Sequence, residues 1–232
     1  CIDNYSHFFY WNGPNKHDLY RNGKEVYYPG QFFPDLMLKE AGQFMAASKS
    51  KPFFMYFAIN LPHYPYQGDP KWLEYYTKKG LAYPRNLYAA FMSTLDDKVG
   101  QLLKQVEDLG LTKNTIIIYT SDQGFYLGEH GWFDKRWMYE ESFRTPLIIK
   151  WPGVTNKKLA TASMVQNLDF AQTFLEAAGI KAPSDMQGES LIPIFKGQGK
   201  NFREAAYYHY YEYPQPHHVA PHYEIGRASC RE

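Results

Sequence analysis

Several things this 232-residue chain lacks narrow its chemistry. It has two cysteines, Cys1 and Cys230, one near each end. Thiols so placed make neither a disulfide framework nor a cysteine metal cluster. An excess of one charge sign is also missing: 25 Lys and Arg stand against 24 Asp and Glu, a net charge of +1. Without a basic run the field that draws proteins to polyanions is absent, and no nucleic-acid partner is expected. No apolar run approaches the roughly 18 residues a membrane span needs, so none is expected. Nor does a charged-then-apolar leader open the chain. It starts at Cys1-Ile2-Asp3-Asn4 rather than Met, which reads as the interior of a longer protein with any export signal upstream. Internal repeats and low-complexity tracts are absent as well.

Aromatics, by contrast, are plentiful, at 18% of residues with 21 Tyr, 16 Phe and 5 Trp. That supply suits stacking on sugar rings, and suits a rigid core equally well. The length is ample for burying such a core. Apolar residues at helical spacing predict helices over 34–48, 87–109 and 167–180, the last with Asp169 as a cap and Gly179 at its end. Short apolar runs predict strands over 51–60, 115–120 and 146–151. Helix and strand in alternation imply an α/β fold, a doubly wound and mainly parallel sheet flanked by helices. The opening stretch to Pro29 reads as loop or irregular hairpin, and beyond Pro193 the pattern dissolves.

In open α/β sheets ligands bind at the carboxyl ends of strands, which singles out two loops. After TIIIYT comes SDQGFYLGEHGWFDKRWMYEES, residues 121–142. Asp122 and Gln123 offer a carboxylate and an amide carbonyl, hard oxygens suited to Ca²⁺ or Mg²⁺. A turn or helix cap is the competing reading of Asp-x-Gly, with Gly124 allowing close approach of a ligand. His130 and Lys135 make sense beside a divalent cation if the substrate is an anionic ester; a solvated loop is the blander reading. After FFMYFAIN comes LPHYPYQG, where prolines stiffen the backbone around His63. A histidine fixed at a strand tip is a good general acid for a leaving alkoxide, although a lone histidine is more often structural. Glu140 and Glu141 read as the start of a helix or turn, and Asp96 and Asp97 as a solvated helix face.

The run 121–142, with RTPLIIKWPG after it and LPHYP before it, resembles the formylglycine-dependent sulfatases over about Phe53 to Ile194. The resemblance implies an alkaline-phosphatase-like α/β fold and hydrolysis of sulfuric esters. It puts Asp122 and Gln123 at calcium-ligand positions, Lys135 at the lysine that contacts sulfate, and His63 at the histidine beside the leaving oxygen. His130 would line the substrate pocket. Where this chain has Gln123 the family more often has Asn, one methylene shorter. The family's nucleophile motif, Cys or Ser followed by x-Pro/Ala-x-Arg and oxidised to formylglycine, is absent, since Cys1-Ile2-Asp3-Asn4-Tyr5 lacks its Pro and Arg. Its N-terminal aspartate pair and Gly-Lys-x-His segment are missing too. The chain is therefore expected to be the C-terminal part of a sulfatase, with the formylglycine upstream and no turnover alone.

On this resemblance residues 1–192 are a partial catalytic domain and 193–223 the start of a truncated C-terminal subdomain. Residues 224–232, EIGRASCRE, match what one frame of a common sequencing-library adapter encodes and are expected to be foreign. The run also resembles the glycan-acting branch of the family, implying a sulfated carbohydrate such as N-acetylglucosamine 6-sulfate and a periplasmic or extracellular location. His217 and His218, with His222, would reach the outer rim of the pocket; a surface loop is the alternative. A phosphate-ester hydrolase of the same superfamily and a non-catalytic carbohydrate-binding protein are the rival classes.

Overall fold

The computed structural model describes residues 19–63, 66–155, 159–199, 202–210 and 222–227. The chain divides into two units, Cys1–Lys113 and Asn114–Glu232.

The first unit opens with a hairpin, β1 (Tyr20–Arg21) against β2 (Lys24–Glu25). Asn22 and Gly23 turn it with φ of 52° and 76°, the positive values that match a two-residue turn to strand twist. Pro34 sits in the first turn of helix α1 (Phe33–Ser48), whose Leu38, Ala41, Met45 and Ser48 repeat at helical spacing on the buried side. Asp69 caps a second helix, α2 (Pro70–Lys78), its carboxylate accepting from Lys71 N at 2.9 Å. The third, α3 (Arg85–Asp108), buries Ala90, Phe91, Thr94, Leu95 and Val106 and packs on both. Leu61, Phe91 and Leu95 form the core, flanked by Phe32, Ile59, Tyr66 and Val99. Burying Phe91 alone contributes about 2–3 kcal/mol.

Asp97 departs from the solvated face expected of it. Trp72 Nε1 donates to it at 2.7 Å and Lys71 Nζ lies 2.6 Å away, so it ties α2 to α3. These hydrogen bonds from Lys71 and Trp72 hold its carboxyl below the usual range. The turn of α3 carrying Asp97 faces a neighbouring helix, which periodicity within one helix does not reveal.

In the second unit β3 (Ile117–Thr120) leads into the loop of residues 121–142. Within it β4 (Tyr126–Leu127) pairs with β5 (Phe133–Asp134) around a 3₁₀ turn at Glu129–Gly131, and a short helix, α4 (Glu140–Phe143), follows. The strand β6 (Leu147–Lys150) then returns beside β3, with Ile117 opposite Lys150 and Thr120 opposite Leu147. Leu147 and Ile149 turn inward onto Leu191, Ile192, Ile194 and Phe195, while Ile148 between them is 64% exposed, the alternation of a strand with one covered face. Helices α5 (Asp169–Ala177) and α6 (Ile192–Phe195) and a hairpin of β7 (Ala205–Tyr210) with β8 (His222–Arg227) complete the unit. Residues 224–227, for which an adapter origin is expected, lie in β8.

Three local expectations are corrected. Every ladder among the described residues is antiparallel and two-stranded, so the expected parallel pairing is not seen in them. Residues 52–60 carry no strand assignment, and Phe54 and Tyr56 are 65% and 80% exposed. Apolar β-formers give such a segment its preference for extension, but a strand also needs a hydrogen-bonding neighbour. Asp169, expected as a helix cap, makes no cap bond into α5. It is fully buried and meets Arg203 in a two-pronged pair at 2.7 Å per contact, while Gln166 N and Glu189 N donate to it at 2.7 and 2.9 Å. Burial pushes its carboxyl pKa up, and the Arg203 guanidinium with the two backbone donors more than offsets this, leaving it below the usual range.

Candidate active site

The loop after β3 is closed at its base by backbone. Gly124 N donates to Ser142 O at 2.8 Å and Phe125 N to Glu141 O at 2.7 Å. A side chain at position 124 would put its Cβ 2.0 Å from Glu141 O. The close approach that Gly124 permits is therefore to the chain's own helix α4, where a ligand was expected.

A buried serine organises what this closure brings together. Ser142 Oγ donates to Lys135 O at 2.6 Å and accepts from Gln123 Nε2 at 2.6 Å; the same amide nitrogen also lies 3.1 Å from Ser142 O and 3.4 Å from Lys135 O. Gln123 and Lys135, 12 residues apart, are thus held on one scaffold. A second hub is Tyr126, which is fully buried. Its hydroxyl donates to Trp137 O and accepts from Tyr139 N at 3.1 Å. Burial pushes the Tyr126 pKa up, so the hydroxyl stays a neutral donor.

The electrostatics favour an anion at Lys135. Arg136 Nη1 lies 2.5 Å from Asp134 Oδ1, so the acidic neighbour of Lys135 is already engaged. Among the described residues no carboxylate lies within ion-pair distance of the Lys135 ammonium. Asp134 reaches Arg136 from a left-handed backbone, φ 82°, which an aspartate tolerates better than most side chains. Tyr208 of β7 donates to Arg136 O at 3.0 Å and steadies the same segment.

The donors suit a hard cation in kind. Gln123 binds the protein through its amide nitrogen, which leaves the carbonyl oxygen as the end able to meet a cation. Asp122 is anchored through its backbone, its carbonyl accepting from Asn167 Nδ2 at 3.2 Å, and its carboxylate is exposed. Calcium takes about six to eight oxygens. No group of three or more His, Cys, Asp or Glu with metal-binding geometry occurs among the described residues.

His130 sits in the 3₁₀ turn with φ 56°. Its Nε2 lies 3.1 and 3.2 Å from the two Glu141 oxygens, and its ring stacks on Tyr139 at 4.2 Å and 17°. His63 belongs to the first unit, where its N–H donates to Asn60 O at 2.9 Å just after buried Leu61. Asp122, Gln123, His130 and Lys135 all belong to the second. His217 and His218 lie outside the described residues.

Sequence reasoning missed Ser142, Tyr126 and the pairing roles of Glu141 and Arg136. A lone serine or tyrosine in a polar loop carries no signal of burial. Glu141 was one of two adjacent glutamates, and only the fold tells which one turns inward.

A family model described as N-sulphoglucosamine sulphohydrolase, C-terminal, matches residues 128–230. An N-acetylglucosamine-6-O-sulfatase of Bacteroides thetaiotaomicron is 49% identical over 162 residues, 68% of this chain and 29% of that protein. The chain belongs to the sulfatase family. An ulvan-active sulfatase of Formosa agariphila is 30% identical over 203 residues, 78% of this chain and 40% of that sulfatase. A solved sulfatase-family relative in complex with its substrate D-glucosamine-2-N,6-O-disulfate superposes with a TM-score of 0.74 at 30% identity, over 89% of this chain and 61% of that one. The chain thus spans well under half the length of these two curated sulfatases. Its fold is the α/β, alkaline-phosphatase-like fold of sulfatases. No described helix is long and apolar enough to cross a membrane.

Proposed function

We propose that this chain supplies part of the active site of a sulfatase that hydrolyses sulfate esters of glycans, with N-acetylglucosamine 6-sulfate as the substrate class. The observation that carries the reading is the Ser142 scaffold, which ties the Gln123 side-chain amide and the Lys135 backbone together in one loop, with no ion-pair partner for the Lys135 ammonium among the described residues. The 49% identity to an N-acetylglucosamine-6-O-sulfatase supports the choice of sugar.

Asp122 and Gln123 would hold Ca²⁺, completed by donors beyond the described residues. Calcium would supply charge to offset the sulfate oxygens, and a formylglycine upstream would supply the oxygen that attacks sulfur. Lys135 binds and orients the sulfate group. His63 gives a proton to the leaving sugar oxygen. Aromatic side chains around the loop, Trp132 and Phe133 among them, are exposed and suited to a sugar ring. A sulfated glycan substrate supports a periplasmic or extracellular location.

Recovering the parent gene across both ends and assaying the whole protein on N-acetylglucosamine 6-sulfate tests this. We expect a Cys or Ser followed by Pro or Ala and Arg upstream, sulfate release by the whole protein, and none by this chain alone. Lys135→Ala should lower kcat/KM by about 100-fold or more. A whole protein without that motif, or full activity in Lys135→Ala, overturns the reading.

A further inference from the structure

His130 is constrained from three sides. Its backbone sits in the left-handed region at φ 56°, its ring lies flat on Tyr139 at 4.2 Å, and the edge of Tyr126 meets it at 6.4 Å and 84°. The fourth constraint is chemical. Both oxygens of Glu141 lie within 3.2 Å of Nε2, and an ionised carboxylate only accepts hydrogen bonds. Nε2 must therefore carry a proton. The other acid beside the turn, Glu129, is occupied elsewhere, its Oε2 accepting from Leu127 N at 2.6 Å. Among the described residues Nδ1 has no hydrogen-bond partner, and the side chain is 43% exposed.

We infer that Glu141 is a positioning residue which locks His130 in the Nε2–H tautomer, so that the Nδ1 lone pair accepts a hydrogen bond from a ring hydroxyl of the sulfated sugar. The inference rests on the sulfatase reading of this loop and deepens it. A neutral imidazole has one donor and one acceptor, and fixing the donor on a carboxylate decides which atom reads the substrate. Lys135 meets the charge of the ester, and His130 tests the sugar that carries it. Without Glu141 nothing fixes the tautomer, and part of the population offers the sugar an N–H where a hydroxyl needs an acceptor.

The test is long-range ¹H–¹⁵N correlation spectroscopy on this chain with ¹⁵N-labelled histidine, His130 being assigned by its loss in His130→Gln. The unsubstituted chain should show the Nε2–H pattern at His130. Glu141→Leu, checked for an unchanged backbone amide spectrum outside the loop, should shift that signal toward the mixed pattern. Tyr139→Leu, which removes stacking and leaves the carboxylate, should keep the Nε2–H pattern. An unchanged tautomer in Glu141→Leu overturns the inference. Titration of the whole protein, recovered with its upstream part, with N-acetylglucosamine 6-sulfate in calcium buffer supplies the second arm. A shift at Nδ1 that Glu141→Leu weakens several-fold supports the assignment. Shifts at other loop signals with none at Nδ1 overturn it alone, and no shift anywhere overturns the parent reading of the loop and this assignment with it.

Discussion

The two units are stabilised by different means. Among the described residues of Cys1–Lys113 the buried ones are nearly all apolar, including Leu38, Met45, Phe91 and Leu95, on helices whose spacing announces them. Among the described residues of Asn114–Glu232 four of the buried ones are polar, Ser142, Asp169, Gln172 and Thr173, and each bonds to chain distant in sequence. An apolar interior tolerates approximate partners, whereas a buried polar group is worth its burial only when every partner is in place. The first unit can lose a contact and persist; the second places Gln123 and Lys135 accurately because it cannot.

The contrast breaks hardest at Arg203. Arg203→Ala should destabilise the second unit by about 3–5 kcal/mol, since it leaves the fully buried Asp169 carboxylate without its counter-charge. Thermal melts across pH check the cause. In the unsubstituted chain Asp169 has a lowered pKa, so its stabilisation is complete above the ordinary aspartate value of about 4 and fades as pH falls through the lower native value. In Arg203→Ala burial acts unopposed and raises that pKa, so the variant should gain stability as pH falls from 7 toward about 4. Parallel melting curves for the two proteins would remove Asp169 from the account.

Gly124→Ala comes next, at about 3 kcal/mol, because the new Cβ would meet Glu141 O at 2.0 Å and the loop base must open. Amide exchange at Phe125 should accelerate with it, and an unaltered exchange rate would mean the base does not hold the loop. The smallest effect belongs to the first unit. Asp97→Ala removes the partners of Trp72 and Lys71 at a partly exposed site, and chemical denaturation should show a loss of about 1 kcal/mol. A loss as large as that at Arg203 would erase the contrast between the units.

This contrast also explains what was legible. Helices α1, α3 and α5 and strands β3 and β6 lie within a few residues of their expected places, because one-sided burial writes a period into the sequence. Helix α2 went unread although Asp69-Pro70 is a good start signal, since its apolar residues are Trp72, Tyr75 and Tyr76 among lysines. Long-range polar pairs leave no such period. Asp169 and Arg203 stand 34 residues apart, and nothing local to Asp169 distinguishes an ion pair from a cap. The loop of residues 121–142 was conspicuous for its charge, yet the residues that arrange it, Ser142 and Tyr126, are ordinary in sequence and exceptional only in burial.

The base of that loop has a consequence for how such a protein diversifies. Backbone bonds at 124–142 and 125–141 close it like a drawstring, with Gln123 and Lys135 gathered at the knot and Leu127 to Phe133 projecting beyond. On the proposed reading, changes in the projecting part would alter which sugar is met without loosening the parts assigned to the ester. A lineage of such proteins would then be free to exchange one glycan for another by small steps, each intermediate keeping intact the half proposed to bind sulfate.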